Sequence, residues 1–100
     1  MGWASFHIEA LQRGETVKFR PHGNSMTPRV NNGALCMVEP LGAHALTKGD
    51  VVLCKVNGQQ YLHLVLAINE KQALVGNNHG HTNGWCTLAN VYGRLVLVEP

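Results

Sequence analysis

Short runs of strand-forming residues, separated by Gly, Asn and Pro, make up most of the chain. Six such runs occur, at 16–20, 34–39, 51–56, 60–68, 72–76 and 91–98. Runs of this length bounded by turn residues are typical of antiparallel strands. Ahead of them, Trp3, Phe6, Ala10 and Leu11 follow the i, i+3, i+7, i+8 spacing of an amphipathic helix that Gly14 would end. The pattern therefore predicts a mainly β, mostly antiparallel domain with one short N-terminal helix over 3–12.

The most specific local signal is Asn57-Gly58, which separates the runs 51–56 and 60–68. This dipeptide favours the two positive-φ positions of a type I′ turn, so the two runs should pair as a hairpin. Leu62, Leu64, Leu66 and Ile68 share one face of the second run, whereas His63 lies on the other, less aliphatic face. A histidine buried there would need hydrogen-bond partners.

The stretch 77–90 shows no strand pattern and is long for a connection in a small domain. We interpret it as a candidate functional loop. The chain as a whole is predicted to be one domain, with an N-terminal helical segment over 1–14 and a β domain over 15–100. The apolar stripe of the helix should cap one end of the sheet, although it could instead dock on a membrane surface or a partner protein.

Composition narrows the classes of function. Hydrophobic residues make up 45% of the chain and charged residues only 14%, and the eight Lys and Arg are scattered singly. This distribution indicates a globular domain and no nucleic-acid partner. The absence of a long apolar run or a secretory signal predicts a soluble, cytoplasmic protein without an integral membrane segment. Cys36, Cys54 and Cys86 are predicted to be buried free thiols in a reducing compartment.

Ser25 stands in the Gly/Asn/Pro-rich stretch "HGNSMTPRV" and could be either a turn residue or a nucleophile. A nucleophilic serine needs a base within hydrogen-bond reach, and His63 is the strongest candidate. Lys55, on the partner strand of the same hairpin, is the alternative base. The only aspartate that could complete a triad is Asp50, with Glu39 and Glu70 as substitutes.

A metal site is a further possibility that the sequence supports only weakly. His22, His79, His81 and Cys86 are metal-ligating residue types, but they lack the paired spacing of structural zinc sites. We therefore expect no metal and no other cofactor.

Three ordered segments resemble the boxes of the type I signal peptidase and LexA-like serine peptidase superfamily. They are "GNSMTPRVNNGALCMVEP", "LTKGDVVLCKVNGQQYLHLVLAI" and "VGNNHGHTNGWCTLANVYGRLV". The resemblance covers residues 17 to 97 and implies a small β peptidase fold. It also implies that the Ser-Met pair, Ser25 and Met26, supplies the nucleophile. His63 occupies the position of the base, which is a lysine in most of these proteins and a histidine in the endoplasmic-reticulum and archaeal signal peptidases.

The chain departs from the pattern of that histidine branch at several positions. Asn77 and Asn83 stand where the branch carries aspartates, and Gly23 replaces a small hydroxyl residue of the bacterial enzymes. The backbone N–H groups of Ser25 and Asn24 would therefore form the oxyanion hole without a hydroxyl. We expect a stand-alone domain, without the membrane anchor of signal peptidases or the DNA-binding domain of LexA-like repressors.

Two hypotheses follow. In the first, the protein is a soluble serine endopeptidase that cleaves a polypeptide through a Ser25–His63 dyad and an acyl-enzyme, with Asn77, Asn83 and Met26 in support. In the second, it is a catalytically weak or inactive peptidase-fold module that binds or regulates a partner polypeptide. The sequence leaves the physiological substrate and the oligomeric state open.

Overall fold

Seven antiparallel strands form one sheet in the computed structural model of the protein, which describes residues 2–41 and 45–100. In chain order the elements are α1 (Ser5–Gln12), β1 (Val17–Phe19), β2 (Leu35–Pro40), β3 (Val51–Val56), β4 (Gln59–Ile68), β5 (Gln72–Gly76), β6 (Thr82–Thr87), a 3₁₀-helical turn (Leu88–Asn90) and β7 (Val91–Glu99). The strand order across the sheet is β1-β2-β7-β3-β4-β5-β6. The predicted fold class, mainly β with one short helix, is confirmed.

The β3–β4 hairpin forms around the predicted turn. Asn57 and Gly58 have φ angles of 50° and 81°, as a type I′ turn requires. Val56 pairs with Gln59 at the closed end, and Val52 pairs with His63 further along. This register fixes the position of His63 in the middle of the sheet.

Both faces of the sheet carry an apolar core. On one face, α1 and the segment 26–34 pack against β2, β3 and β4, with Leu53 and Val38 fully buried. On the other face, Val52, Cys54 and Val65 pack with residues of β5, β6 and β7. Because β6 contacts β3 although two strands separate them in the sheet, the sheet curls back on itself. The curl brings β6 close to the part of β4 that carries His63.

The predicted apolar stripe of the helix was wrong at Trp3 and Phe6, whereas Leu11 is buried and Ala10 packs against the core as predicted. Ala4, Ile8 and Leu11 are buried against the sheet, whereas Trp3 and Phe6 are 51% and 74% exposed. The buried residues follow an i, i+4, i+7 spacing and are small or aliphatic, so the helix can approach the sheet closely. Trp3 precedes the helix, at the margin of the sheet, where its indole Nε1 donates to Gln60 O at 3.1 Å.

The prediction that 77–90 is a loop throughout was also wrong, because Thr82–Thr87 forms β6 and Leu88–Asn90 forms a 3₁₀-helical turn. β6 pairs with β5 at the edge of the sheet and buries only Cys86 among its six residues. A strand with so little buried surface has no strong hydrophobic alternation. The loop proper is limited to residues 77–81, which we call the 77–81 loop.

The three cysteines are free and buried, as predicted. A hydrogen bond with Cys86, together with burial, raises the pKa of the Cys54 thiol, and burial raises that of Cys36. In the described part of the chain, no helix has the length and apolar character needed to cross a membrane.

Candidate active site

Ser25 lies in a turn over residues 24–30, which we call the nucleophile turn. Met26 and Val30 are 4% exposed and anchor the turn in the apolar core that also contains the buried residues of α1, whereas Ser25 is exposed. Gly23 enters the turn with a φ of 107°, a conformation that favours glycine, and its N–H donates to Asn32 Oδ1 at 2.7 Å. The buried methionine therefore fixes the turn, while its neighbour presents a hydroxyl to solvent.

The structure brings Ser25, His63 and Asn83 together in one hydrogen-bonded series. Ser25 Oγ lies 3.1 Å from His63 Nε2, and His63 Nδ1 lies 2.7 Å from Asn83 Oδ1. Because an amide oxygen only accepts, the Nδ1 atom carries the proton in this contact. Nε2 is then the unprotonated nitrogen, with its lone pair available to accept the Ser25 hydroxyl proton.

The surroundings of His63 favour its neutral form. The side chain is 7% exposed, and its ring stacks on Tyr61 with 4.8 Å between ring centroids. Burial lowers the pKa of His63; the hydrogen bond to Asn83 opposes this shift, and the nearby His81 adds to it. The pKa of His63 therefore lies below its usual value near 6.5, and the imidazole is neutral at pH 7.

The other asparagine singled out by the sequence, Asn77, has a different environment. Its Oδ1 accepts from the backbone N–H groups of His79 and His81, at 2.8 and 3.0 Å. The side chain thus organises the 77–81 loop, and Asn83 is the residue that contacts His63. Position 83 lies on β6, which curls towards β4, whereas position 77 begins the loop before it.

The 77–81 loop in turn holds the nucleophile turn. Asn78 N donates to Ser25 O at 2.9 Å, and Asn78 Nδ2 donates to Thr27 O at 3.0 Å. His79 Nε2 lies 2.9 Å from both Asn24 O and Thr27 Oγ1. Sequence reasoning missed Asn78 and His79, since only the fold places two polar loops against each other.

The two hydrogen bonds that Asn77 Oδ1 accepts within the 77–81 loop predict that replacing Asn77 destabilises the fold. We expect Asn77→Ala to lower the free energy of unfolding by about 1–2 kcal/mol, because two backbone N–H groups lose their acceptor. Urea unfolding followed by tryptophan fluorescence measures the change. Asn31→Ala, at an exposed position whose backbone oxygen alone is engaged, is the matched control and should change little. Equal stability of the two variants would contradict the bracing role of Asn77.

The backbone N–H groups of Asn24 and Ser25 donate to no acceptor among residues 2–41 and 45–100. They begin a turn in which Thr27 N bonds to Asn24 O and Val30 N bonds to Met26 O. The first N–H groups of such a turn have no partner within it, as at a helix N-terminus. Two free donors therefore lie at and next to the serine.

The alternative base and the acids considered as triad members take no part in the series formed by Ser25, His63 and Asn83. Lys55 is exposed on β3 opposite Gln60, and Asp50 Oδ2 accepts from Thr47 N and Oγ1, closing the turn before β3. Glu39 and Glu70 are exposed. Within the described ranges, no three His, Cys, Asp or Glu side chains cluster as a metal site would require.

Ser25 and His63 line a cleft of about 860 Å³ that continues towards the N-terminal helix. The residues around it are Trp3, His7, Phe19, Arg20, Pro21, His22, Gly23, Ser25, Met26, Val30, Gln60, Tyr61, Leu62, His63, His81 and Asn83. A cleft of this size accommodates several residues of an extended peptide.

A small β domain that holds a serine hydroxyl against the unprotonated nitrogen of a histidine has the arrangement of the serine peptidase class. A family model, Peptidase S24-like, matches residues 5–96, and the chain belongs to this family. The match supports the LexA and signal peptidase superfamily to which the sequence motifs pointed. No curated protein matches the chain significantly.

Proposed function

We propose that the protein is a serine endopeptidase in which Ser25 is the nucleophile and His63 is the general base. The observation that carries the proposal is the 3.1 Å contact between Ser25 Oγ and His63 Nε2, with Nδ1 engaged by Asn83. Serine is unreactive at neutral pH unless a base removes its proton. The buried, neutral imidazole is in the protonation state that this step needs.

In the proposed reaction, Ser25 Oγ bonds to the peptide carbonyl carbon while its proton moves to His63 Nε2. The carbonyl oxygen becomes an oxyanion, to which the N–H groups of Ser25 and Asn24 donate. Collapse of this intermediate breaks the C–N bond, and the Nε2 proton passes to the leaving amine. Water then attacks the acyl-enzyme, with its proton passing through His63 back to Ser25 Oγ, and the carboxylic acid product leaves.

The substrate would lie along the open edge of β4. β5 pairs with β4 only from Leu64 onwards, so among the described strands β3 is the one neighbour of the stretch before Leu64. In a two-residue hairpin the closing pair is hydrogen-bonded, and such pairs alternate along the ladder. Gln60 and Leu62 therefore direct their backbone groups away from β3, into the cleft. A peptide in extended conformation can pair with Leu62 and bring its carbonyl to Ser25, whereas Gln60 O already accepts from the Trp3 indole N–H.

Because its proposed base is a histidine, we further propose that the protein belongs with the histidine-dependent peptidases of the superfamily. We also propose a cytoplasmic location, which the three free, buried thiols support. Asn83 orients the imidazole without a charge to stabilise the imidazolium, so the proposed enzyme is a slow one compared with a Ser-His-Asp peptidase. The same observation favours the second candidate function, a module that binds a polypeptide without cleaving it.

A serine-directed fluorophosphonate probe separates the two candidates. We expect covalent labelling at Ser25, located by mass spectrometry of the digested adduct. The rate should be constant between pH 7 and 9 and fall only at a pH below the usual histidine pKa, because His63 acts as base only in its neutral form and its pKa is lowered.

Ser5, the only other serine in the sequence, is an internal control for the specificity of labelling. Circular dichroism at each pH verifies that the protein remains folded. Folded protein that takes up no probe between pH 7 and 9 would exclude the peptidase and leave the binding module.

A further inference from the structure

The cleft extends beyond the catalytic pair to a second group of residues beside α1. Trp3, His7, Phe19, Arg20 and Gln60 line this part, which we call the aromatic end of the cleft. It is formed by the described N-terminal segment, by β1 with the residue that follows it, and by Gln60 of β4, and the proposed proton transfers do not use it.

The aromatic end is a built recess with fixed walls. The rings of His7 and Phe19 stack with centroids 4.6 Å apart, and Trp3 contacts Phe19 at a tilt of 59°. Gln60 fixes the wall against the helix, since its Oε1 accepts from Ala4 N at 2.7 Å and its Nε2 donates to Ser5 Oγ at 3.1 Å. Trp3 nevertheless remains 51% exposed. The half-exposed indole offers an apolar surface that a substrate side chain could cover.

Trp3 also limits how far a substrate can pair with β4. Its indole N–H donates to Gln60 O at 3.1 Å and so occupies an acceptor on the open edge. Gln60 lies three residues before His63, a distance of about 10 Å along an extended strand. When a substrate pairs with Leu62, the side chain two or three residues from its cleaved bond would therefore contact the indole ring of Trp3.

The charge of the cleft lining adds a second preference, for a carboxylate on the substrate. Its lining includes Arg20 but neither Asp nor Glu. Arg20 Nη1 donates to Gly33 O at 2.9 Å, and the ion pair formed among residues 2–41 and 45–100 is Arg13–Glu15. The Arg20 guanidinium therefore has no carboxylate partner within the described chain and can donate to one on a ligand.

We propose that the aromatic end is a specificity subsite for a polypeptide carrying a large apolar or aromatic side chain two or three residues from the cleaved bond, next to an acidic residue. This inference rests on the proposed function for the position of the cleaved bond. Trp3, with Phe19, covers the apolar side chain, and Arg20 pairs with the carboxylate. Trp3 and Arg20 are thus specificity-determining residues supplied from outside the catalytic pair.

A peptide library tests the proposal. Dodecapeptides with a fixed central Ala-Ala and equal mixtures elsewhere are incubated with the protein, and cleaved products are sequenced by mass spectrometry. We expect about tenfold enrichment of Trp, Phe, Tyr or Leu at one position two or three residues from the cut, with Asp or Glu beside it. Trp3→Ala should abolish the apolar enrichment, and Arg20→Gln the acidic one.

Two matched controls come from the same elements. Phe6→Ala removes an exposed aromatic side chain of α1 outside the cleft, and Lys18→Gln removes an exposed positive charge of β1 outside the cleft lining. Both should retain the wild-type pattern. If the wild-type protein is labelled at Ser25 but cleaves without side-chain preference at this position, the subsite is refuted and the peptidase stands.

A binding measurement distinguishes failure of the chemistry from failure of the subsite. In a Trp85→Phe, Ser25→Ala variant, Trp3 is the one remaining tryptophan, and its fluorescence reports occupancy of the recess. The hexapeptide acetyl-Ala-Phe-Glu-Ala-Ala-Ala-amide should bind at least about tenfold more tightly than its Ala-Ala-Gln counterpart and shift the emission to shorter wavelength. Equal affinities, or no spectral change, would overturn the subsite whether or not the protein cleaves peptides.

Discussion

Ser25→Ala and His63→Ala are each expected to slow peptide hydrolysis by about a thousandfold or more, and the double variant should be no slower than either single one. The two side chains act as a unit, since the 3.1 Å contact makes the hydroxyl and the imidazole parts of one proton transfer. Removing either member leaves only the contributions of substrate binding and of the backbone donors. Initial rates at pH 7.5 on a peptide recovered from the library measure the effect.

Thr16→Ala is the matched control for the serine variant, because it removes an exposed hydroxyl group outside the cleft lining. It should hydrolyse the peptide at a rate close to wild type. Thermal unfolding of each variant verifies that the fold is retained. If the fold-loss of rate in the double variant equalled the product of the fold-losses in the two single variants, Ser25 and His63 would act independently. The dyad would then be refuted.

The sequence predicted the parts of the fold that local chemistry determines. Asn57-Gly58 specifies a type I′ turn by itself, and the alternation after it places His63 on the face opposite Leu62. β6 was missed because it lies at the sheet edge and buries only Cys86, so its position depends on pairing with β5 rather than on its own pattern.

The helix shows a similar limit. Trp3 and Phe6 have the largest apolar side chains of the N-terminal segment, yet the smaller Ala4, Ile8 and Leu11 are the buried ones. Close packing on a sheet selects side chains by shape as well as by hydrophobicity. The exposed position of Trp3 follows instead from a hydrogen bond to Gln60, 57 residues away in the chain, which no local pattern contains.

For the candidate site, the sequence singled out Asn77 and Asn83 but did not distinguish their structural roles. The resemblance to the peptidase superfamily indicated both residues alike. Only the curl of β6 towards β4 distinguishes them: Asn83 reaches the imidazole, whereas Asn77 accepts from two N–H groups in its own loop. One of the two asparagines therefore belongs to the proposed mechanism and the other to the loop that braces it.

The second large effect is expected at Asn83, which sets the tautomer of His63. Asn83→Leu removes the acceptor for Nδ1–H, so the tautomer with its proton on Nε2 becomes accessible and can no longer accept from Ser25. We expect hydrolysis and probe labelling to fall by about 10- to 100-fold. Asn83→Asp keeps an acceptor for Nδ1–H and adds a negative charge in direct contact with His63, although 20 residues separate the two positions in the sequence.

The charge at position 83 should change the pH dependence in a defined direction. A carboxylate stabilises the imidazolium, so it raises the pKa of His63, whose burial otherwise lowers it. The acidic limb of the pH–rate profile of Asn83→Asp should move to higher pH, and the rate at pH 8–9 should rise by about tenfold. Asn31→Asp, which adds the same charge at an exposed position, controls for net charge. An unchanged profile in Asn83→Asp would mean that the proton accepted from Ser25 does not reside on His63, because an imidazolium formed next to a carboxylate must titrate differently from one next to an amide.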